Sequence, residues 1–139
     1  MGNYGGVNID RATVDRWLGD YVAAWTSYDR AAIAALFAAD VAYRYHPGDE
    51  PIRGRDDVVA SWLGEGGFPT APSRDAPGTY DAAYRAVAVD GDIAVAVGSS
   101  TYTEVPGGPV VTTFDNCFVL RFDDDGCCEF TEWYVERSG

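Results

Sequence analysis

Two residues of this 139-residue chain have types and positions suited to moving protons, the single histidine His46 and the helix tyrosine Tyr21. An imidazole titrates near neutral pH, so it can take and return a proton. His46 closes an alternating apolar segment just before Pro47-Gly48, where a pocket would have its mouth; its plainer role is that of a partly exposed loop residue. A buried tyrosine hydroxyl needs a hydrogen-bond partner, and a ligand oxygen is one such partner. In that arrangement Tyr21 stabilises an oxyanion and His46 is the base. Asn116 interrupts the apolar row Phe114, Phe118, Leu120 and Phe122. A polar side chain in such a row bonds either a ligand or the end of a helix. Glu132 is the remaining acid/base candidate. Facing inward, it would have its pKa raised by apolar neighbours; facing outward, it would be a surface ion-pair partner.

Other chemistries lack support. One histidine and no run of His, Asp and Glu at ligand spacing argue against a metal site, and no cofactor is expected. Ser99-Ser100-Thr101 is not set in a Gly-x-Ser-x-Gly turn, and no phosphate-binding or dinucleotide loop occurs. Arg53, Arg55, Arg85 and Arg121 are scattered, which suits surface pairing with the many acids. Cys117, Cys127 and Cys128 fit no zinc spacing. A hairpin register placing Cys117 opposite about Glu132 keeps it too far from the adjacent pair for a disulfide.

The elements that would carry these residues follow from periodicity. Val14, Trp17, Leu18, Tyr21, Val22 and Trp25 recur at helical spacing, so a helix over about 13–27 presents them on one face, with Thr13 or Asp10 as cap. A second helix starts after Asp29, with Ile33, Leu36 and Phe37 as its buried stripe. Residues 41–46 alternate as a strand, with Tyr43 and Tyr45 on one face. A third helix spans about 55–63 and buries Val58, Val59, Trp62 and Leu63. The stretch 64–78, rich in Gly and Pro, reads as a pocket rim or a tolerated insertion. The rest is β: 84–89 and 92–102 around Asp90-Gly91, then 110–122, then 127–135. Helices followed by an antiparallel, mostly meander sheet imply an α+β domain over 9–137, preceded by a flexible tail at 1–8.

Length and a 47% hydrophobic composition describe one folded domain with a substantial core. The net charge of −12 opposes binding to nucleic acid or to anionic lipid. Apolar runs are too short to span a membrane, and a cytoplasmic protein is the default expectation. Helices cover only one sheet face, so the apolar residues Cys117 and Val119 on the other suggest a homodimer through the sheets.

Three segments together resemble the SnoaL-like part of the nuclear transport factor 2-like superfamily. They are Tyr21-Val22-Ala23-Ala24-Trp25 with Ile33–Val41; Ile52-Arg53-Gly54-Arg55-Asp56-Asp57-Val58; and Val119–Gly126 with Glu132-Trp133-Tyr134. The resemblance implies a cone-shaped roll of about three helices on a curved sheet enclosing a pocket. Its relatives include isomerases, cyclases, dehydratases, hydrolases and non-catalytic proteins, so fold alone does not assign a reaction. In the steroid-isomerase pattern, Tyr21 matches the helix-one hydrogen-bond donor. The base aspartate falls at Tyr45 or His46, and the second oxyanion donor falls at Phe118. Two of three acids are absent, which argues against that reaction. The same pattern turns Thr131, Trp133 and Val135 inward and Glu132 outward. The expected pocket is lined by Trp17, Tyr21, Trp25, Tyr43, Tyr45, Trp62, Phe114, Asn116, Phe118 and Trp133. Its expected occupant is a small hydrophobic or aromatic molecule.

Overall fold

The computed structural model describes residues 8–67 and 78–137. The expected tail falls almost wholly outside them, as does most of the expected 64–78 rim. Helix α1 (Arg11–Ser27) begins where the Asp10 carboxylate accepts from the Thr13 backbone N–H at 2.7 Å, so Asp10 is the cap. Val14, Leu18, Tyr21, Ala24 and Trp25 form its buried stripe. Tyr28, in the left-handed conformation, ends the helix. Helix α2 (Arg30–Ala34) is capped by Asp29, and α3 spans Arg55–Leu63.

Six strands follow the helices' lead into one sheet: β1 (Phe37–Arg44), β2 (Ile52–Arg53), β3 (Tyr80–Asp90), β4 (Ile93–Thr103), β5 (Val110–Asp123) and β6 (Gly126–Glu136). Their order is β2-β1-β6-β5-β4-β3. The sheet is mixed, because β1 runs parallel to β6 while every other pair is antiparallel. The core lies between the helices and the concave face, with Phe37, Tyr43, Phe118, Leu120 and Phe130 fully buried.

Two expected boundaries move for identifiable reasons. The second helix stops at Ala34, and Phe37 opens β1 instead of closing a helical stripe. The Leu36 carbonyl is taken by the Trp17 Nε1–H at 2.9 Å and the Cys127 N–H at 3.1 Å, so the backbone leaves the helix to join the sheet. Both Leu36 and Phe37 stay buried. In the β3–β4 hairpin, Asp90 pairs with Ile93, which makes Gly91-Asp92 the central turn residues rather than Asp90-Gly91. Gly91 takes φ +63°, a conformation available to glycine at no steric cost.

A bulge decides which side of β6 faces the core. Near the turn, Asp123 pairs with Gly126 and Phe122 with Cys127; beyond it, Arg121 pairs with Glu129. Cys128 is the extra residue, and it moves the register by one for the rest of the strand. Cys117 therefore lies opposite Trp133, not Glu132. All three thiols are free.

Candidate functional site

A cavity of about 400 Å³ opens at the end of the cone away from the β5–β6 turn. Tyr21 and Trp25 of α1 line it from the helical layer, with Tyr45 and His46 just past β1. The sheet supplies Tyr80 and Tyr84 from β3, Ser100 and Tyr102 from β4, and Thr112, Phe114 and Asn116 from β5. Strand β6 completes it with Glu132, Tyr134 and Glu136. Eight of these fourteen side chains are Trp, Tyr or Phe, so the wall is mostly apolar ring with hydroxyls at the edges. Among the described residues no arginine lines the cavity, and all ten basic residues of the chain are arginines.

Glu132 is the chemical centre of this space. Its Oε2 accepts from the Asn116 Nδ2–H at 2.8 Å, and the Ser100 hydroxyl donates to Asn116 Oδ1 at 3.1 Å. The Tyr80 and Tyr84 hydroxyls, 3.4 Å apart, extend the polar chain along β3. The Glu132 carboxyl touches the cavity but is otherwise walled in by protein. Loss of water around it pushes its pKa from the ordinary 4.5 up to about 7, with the Asn116 bond opposing that rise. Glu132 is therefore poised to exchange a proton near neutral pH.

The surrounding phenols stay protonated. Burial raises Tyr21 and Tyr43 well above the usual phenol value, and the Glu132 charge adds to both rises. Burial pushes Tyr45 and Tyr84 up to about 12, where hydrogen bonds involving Ser61 and Tyr80 partly offset it. These hydroxyls are neutral donors at pH 7. The Tyr43 hydroxyl and the Trp62 indole N–H are buried without a well-formed hydrogen bond, although Trp62 and Tyr21 lie close enough to ease the Tyr43 rise.

Of the residues expected to act, Tyr21 and His46 both reach the cavity but at different depths. Tyr21 is buried, with its ring 5.5 Å from that of Phe118 and 6.1 Å from that of Tyr84. His46 is exposed at the rim, its Nδ1 3.2 Å from Asp49 Oδ2 and its Nε2 2.5 Å from the Tyr134 hydroxyl. Trp25, Tyr45, Phe114 and Asn116 also line the cavity.

Five expected lining residues do not. Trp17, partly buried, turns its Nε1–H to the Leu36 carbonyl and packs edge-on against Phe37 and Phe122 of the core. Trp62 stacks behind Trp25 with centroids 4.0 Å apart. Tyr43 stacks on Phe130 at 4.4 Å, and Phe118 is clamped edge-on by Tyr84 at 4.8 Å. Trp133 lies on the opposite face of the sheet, 42% exposed. The outward placement of Glu132 is corrected with it. The Cys128 bulge pairs Phe118 with Glu132 and Cys117 with Trp133, and directly paired residues share a face. Fully buried Phe130 shows why this register wins, since a shift back would expose a large aromatic ring.

Tyr80, Tyr84, Ser100 and Tyr102 also escaped the sequence reading. Ser100 pairs with Phe114 and Tyr102 with Thr112, so carrying the β5 inner row across to β4 would have found them. Tyr84 needed one more element: it pairs with Gly98, whose missing side chain leaves room for its ring.

The architecture is that of an α+β cone with a ligand-sized cavity between helices and sheet. The SnoaL-like domain model matches residues 18–130, and the chain belongs to that family. Solved structures show the same nuclear transport factor 2-like fold. A candidate ketosteroid isomerase from Kribbella flavida DSM 17836 is 21% identical with a TM-score of 0.59, covering 94% of this chain and 83% of its own. An NTF-2 like protein of unknown function from Burkholderia xenovorans LB400 is 17% identical with a TM-score of 0.62, covering 93% and 88%. An LEH-like epoxide hydrolase from M. tuberculosis is 16% identical with a TM-score of 0.58, covering 90% and 84%. No curated protein matches the sequence. Among the described residues no helix is long and apolar enough to cross a membrane, and no group of three or more His, Cys, Asp or Glu converges as a metal site requires.

Proposed function

We propose that this protein binds a small, largely apolar or aromatic molecule in the cavity and transforms it by proton transfer through Glu132, without a cofactor. The observation that carries this reading is one carboxyl, hydrogen-bonded by Asn116 and titrating at about 7, facing an aromatic cavity of ligand size. Isomerisation, cyclisation, dehydration and hydrolysis all need such a group. The buried Tyr21 hydroxyl, neutral at pH 7, supplies a donor for an oxyanion formed when Glu132 takes a proton. His46 is less suited to be the base, because it is exposed and already engaged by Asp49 and Tyr134.

The test begins with a thermal-shift screen of small aromatic and alicyclic compounds, since a ligand of the native state raises its melting temperature. Compounds that bind are then incubated with the protein and followed for product. At saturating ligand, Glu132→Gln is expected to lose roughly 100-fold or more in turnover, whereas His46→Ala loses only a few-fold. Equal turnover by Glu132→Gln, or a screen with no shift at all, rejects the reading.

A second reading, a dimeric binding module without catalysis, is favoured by the outer sheet face. Val119, Trp133 and Val135 are all exposed there, more apolar surface than a solvated face needs. The two readings are compatible in one molecule, as the cavity and this face lie on opposite sides of the sheet.

A further inference from the structure

We infer that the cavity's ligand carries a positive charge, an ammonium or similar cationic centre seated against Glu132 within the aromatic wall. This rests on the proposed small-molecule role of the cavity and adds the ligand's charge class to it.

Three observations converge. The first is the charge of the lining. Glu132 and Glu136 both face the cavity, and among the described residues no arginine does. The arginines nearest in sequence are engaged elsewhere: Arg137 pairs with Asp115 at 2.6 Å, and Arg121 pairs with Asp92 and Glu129. Among the described residues an anionic ligand would meet two carboxylates and, apart from the rim imidazole of His46, no basic side chain, within a protein of net charge −12.

The second is the wall itself. Rings from five elements surround the space, among them Trp25 from α1, Tyr84 from β3, Tyr102 from β4, Phe114 from β5 and Tyr134 from β6. The faces of such rings attract cations, and several rings around one centre form the cage that recognises quaternary ammonium groups. A purely apolar ligand would be served as well by aliphatic residues, yet among the described residues no Leu, Ile, Val or Met lines the cavity.

The third is the state of Glu132. Among the described residues one partner, Asn116, bonds this carboxyl, through Oε2, and Glu132 lines the space. A burial-raised carboxyl regains its charge when a cation enters beside it. A cationic ligand would therefore turn Glu132 from a mixture of protonation states into a carboxylate, ready to act as a base.

The test compares matched shapes that differ in charge: phenyltrimethylammonium, its neutral isostere tert-butylbenzene, and the anion 4-tert-butylbenzoate, each titrated against the whole protein by calorimetry at pH 8. The expected result is cation affinity at least tenfold above the neutral isostere, with no measurable binding of the anion. Glu132→Gln keeps side-chain size and can still accept from Asn116, so it is expected to fold. It should weaken the cation at least fivefold and change the neutral compound less than twofold. Tyr134→Leu removes a ring at the exposed rim and should weaken the cation more than its isostere. If the neutral compound binds as well as or better than the cation, or the cation's advantage survives in Glu132→Gln, the charge assignment fails while the small-molecule reading stands. If none of the three binds, the charge assignment fails, and the small-molecule reading is decided by the thermal-shift screen.

Discussion

At the residue scale, Glu132 makes stability depend on pH. Its carboxyl is held at about 7 in the folded chain against an ordinary 4.5, so the folded state binds more protons than the unfolded state between those values. Stability therefore falls as pH rises through that window and is lower by up to about 3 kcal/mol above it. Glu132→Gln removes the ionisation while leaving a side chain that can accept from Asn116. Denaturant unfolding is expected to show the variant more stable than the parent by about 2–3 kcal/mol at pH 8, with little difference at pH 4.5. An equal gap at both pH values would mean that Glu132 is not buried as a titrating acid. Sequence alone favoured an outward Glu132, a surface ion-pair partner, over an inward one. Choosing between them required the backbone of the neighbouring turn, which no property of Glu132 itself reveals.

At the element scale, small backbone features set the site. Gly98 on β4 stands opposite Tyr84 and Asn116, and a Cβ built there would lie 2.0 Å from the Ala83 carbonyl oxygen and 2.6 Å from the Tyr84 ring. Backbone cannot yield as a flexible side chain does. Gly98→Ala is expected to lower unfolding stability by about 3 kcal/mol and to displace Tyr84, seen as altered near-ultraviolet tyrosine circular dichroism. An unchanged spectrum and midpoint would count against the tight approach. Gly126 has a similar task at the other end: at φ +137°, its Cβ position is 3.2 Å from the Leu36 carbonyl oxygen, where β1 turns in beside β6. Strand identities were readable from alternation, and α1 and α3 from their helical stripes. The Cys128 bulge was not, because a one-residue insertion leaves composition and hydrophobic alternation almost unchanged while exchanging the two faces.

For the whole molecule, the outer sheet face carries the remaining expectation. Trp133 pairs with Cys117, and Thr131 with Val119, so the exposed apolar residues form a contiguous strip across β5 and β6. Ion pairs such as Arg121–Glu129 and Arg137–Asp115 border it, the polar rim typical of interfaces. Analytical ultracentrifugation is expected to show a homodimer that Trp133→Asp converts to a folded monomer. A monomeric parent protein at tens of micromolar would remove the dimer proposal.

The residues by themselves determined the class of fold, the stripe of α1, the third helix and the inner row of β5, because periodic burial is a local property that each segment carries in its own pattern. Tyr21, Trp25, Tyr45, Phe114 and Asn116, singled out from the sequence, line one space. Tertiary structure alone decided that Glu132 joins them and Trp133 does not, that Trp62 and Tyr43 are core behind the wall, and that Tyr80 and Tyr84 complete it. Facing across a cavity depends on register between strands distant in sequence, and register depends on single-residue bulges and glycine approaches whose energetic basis is steric contact rather than hydrophobic pattern.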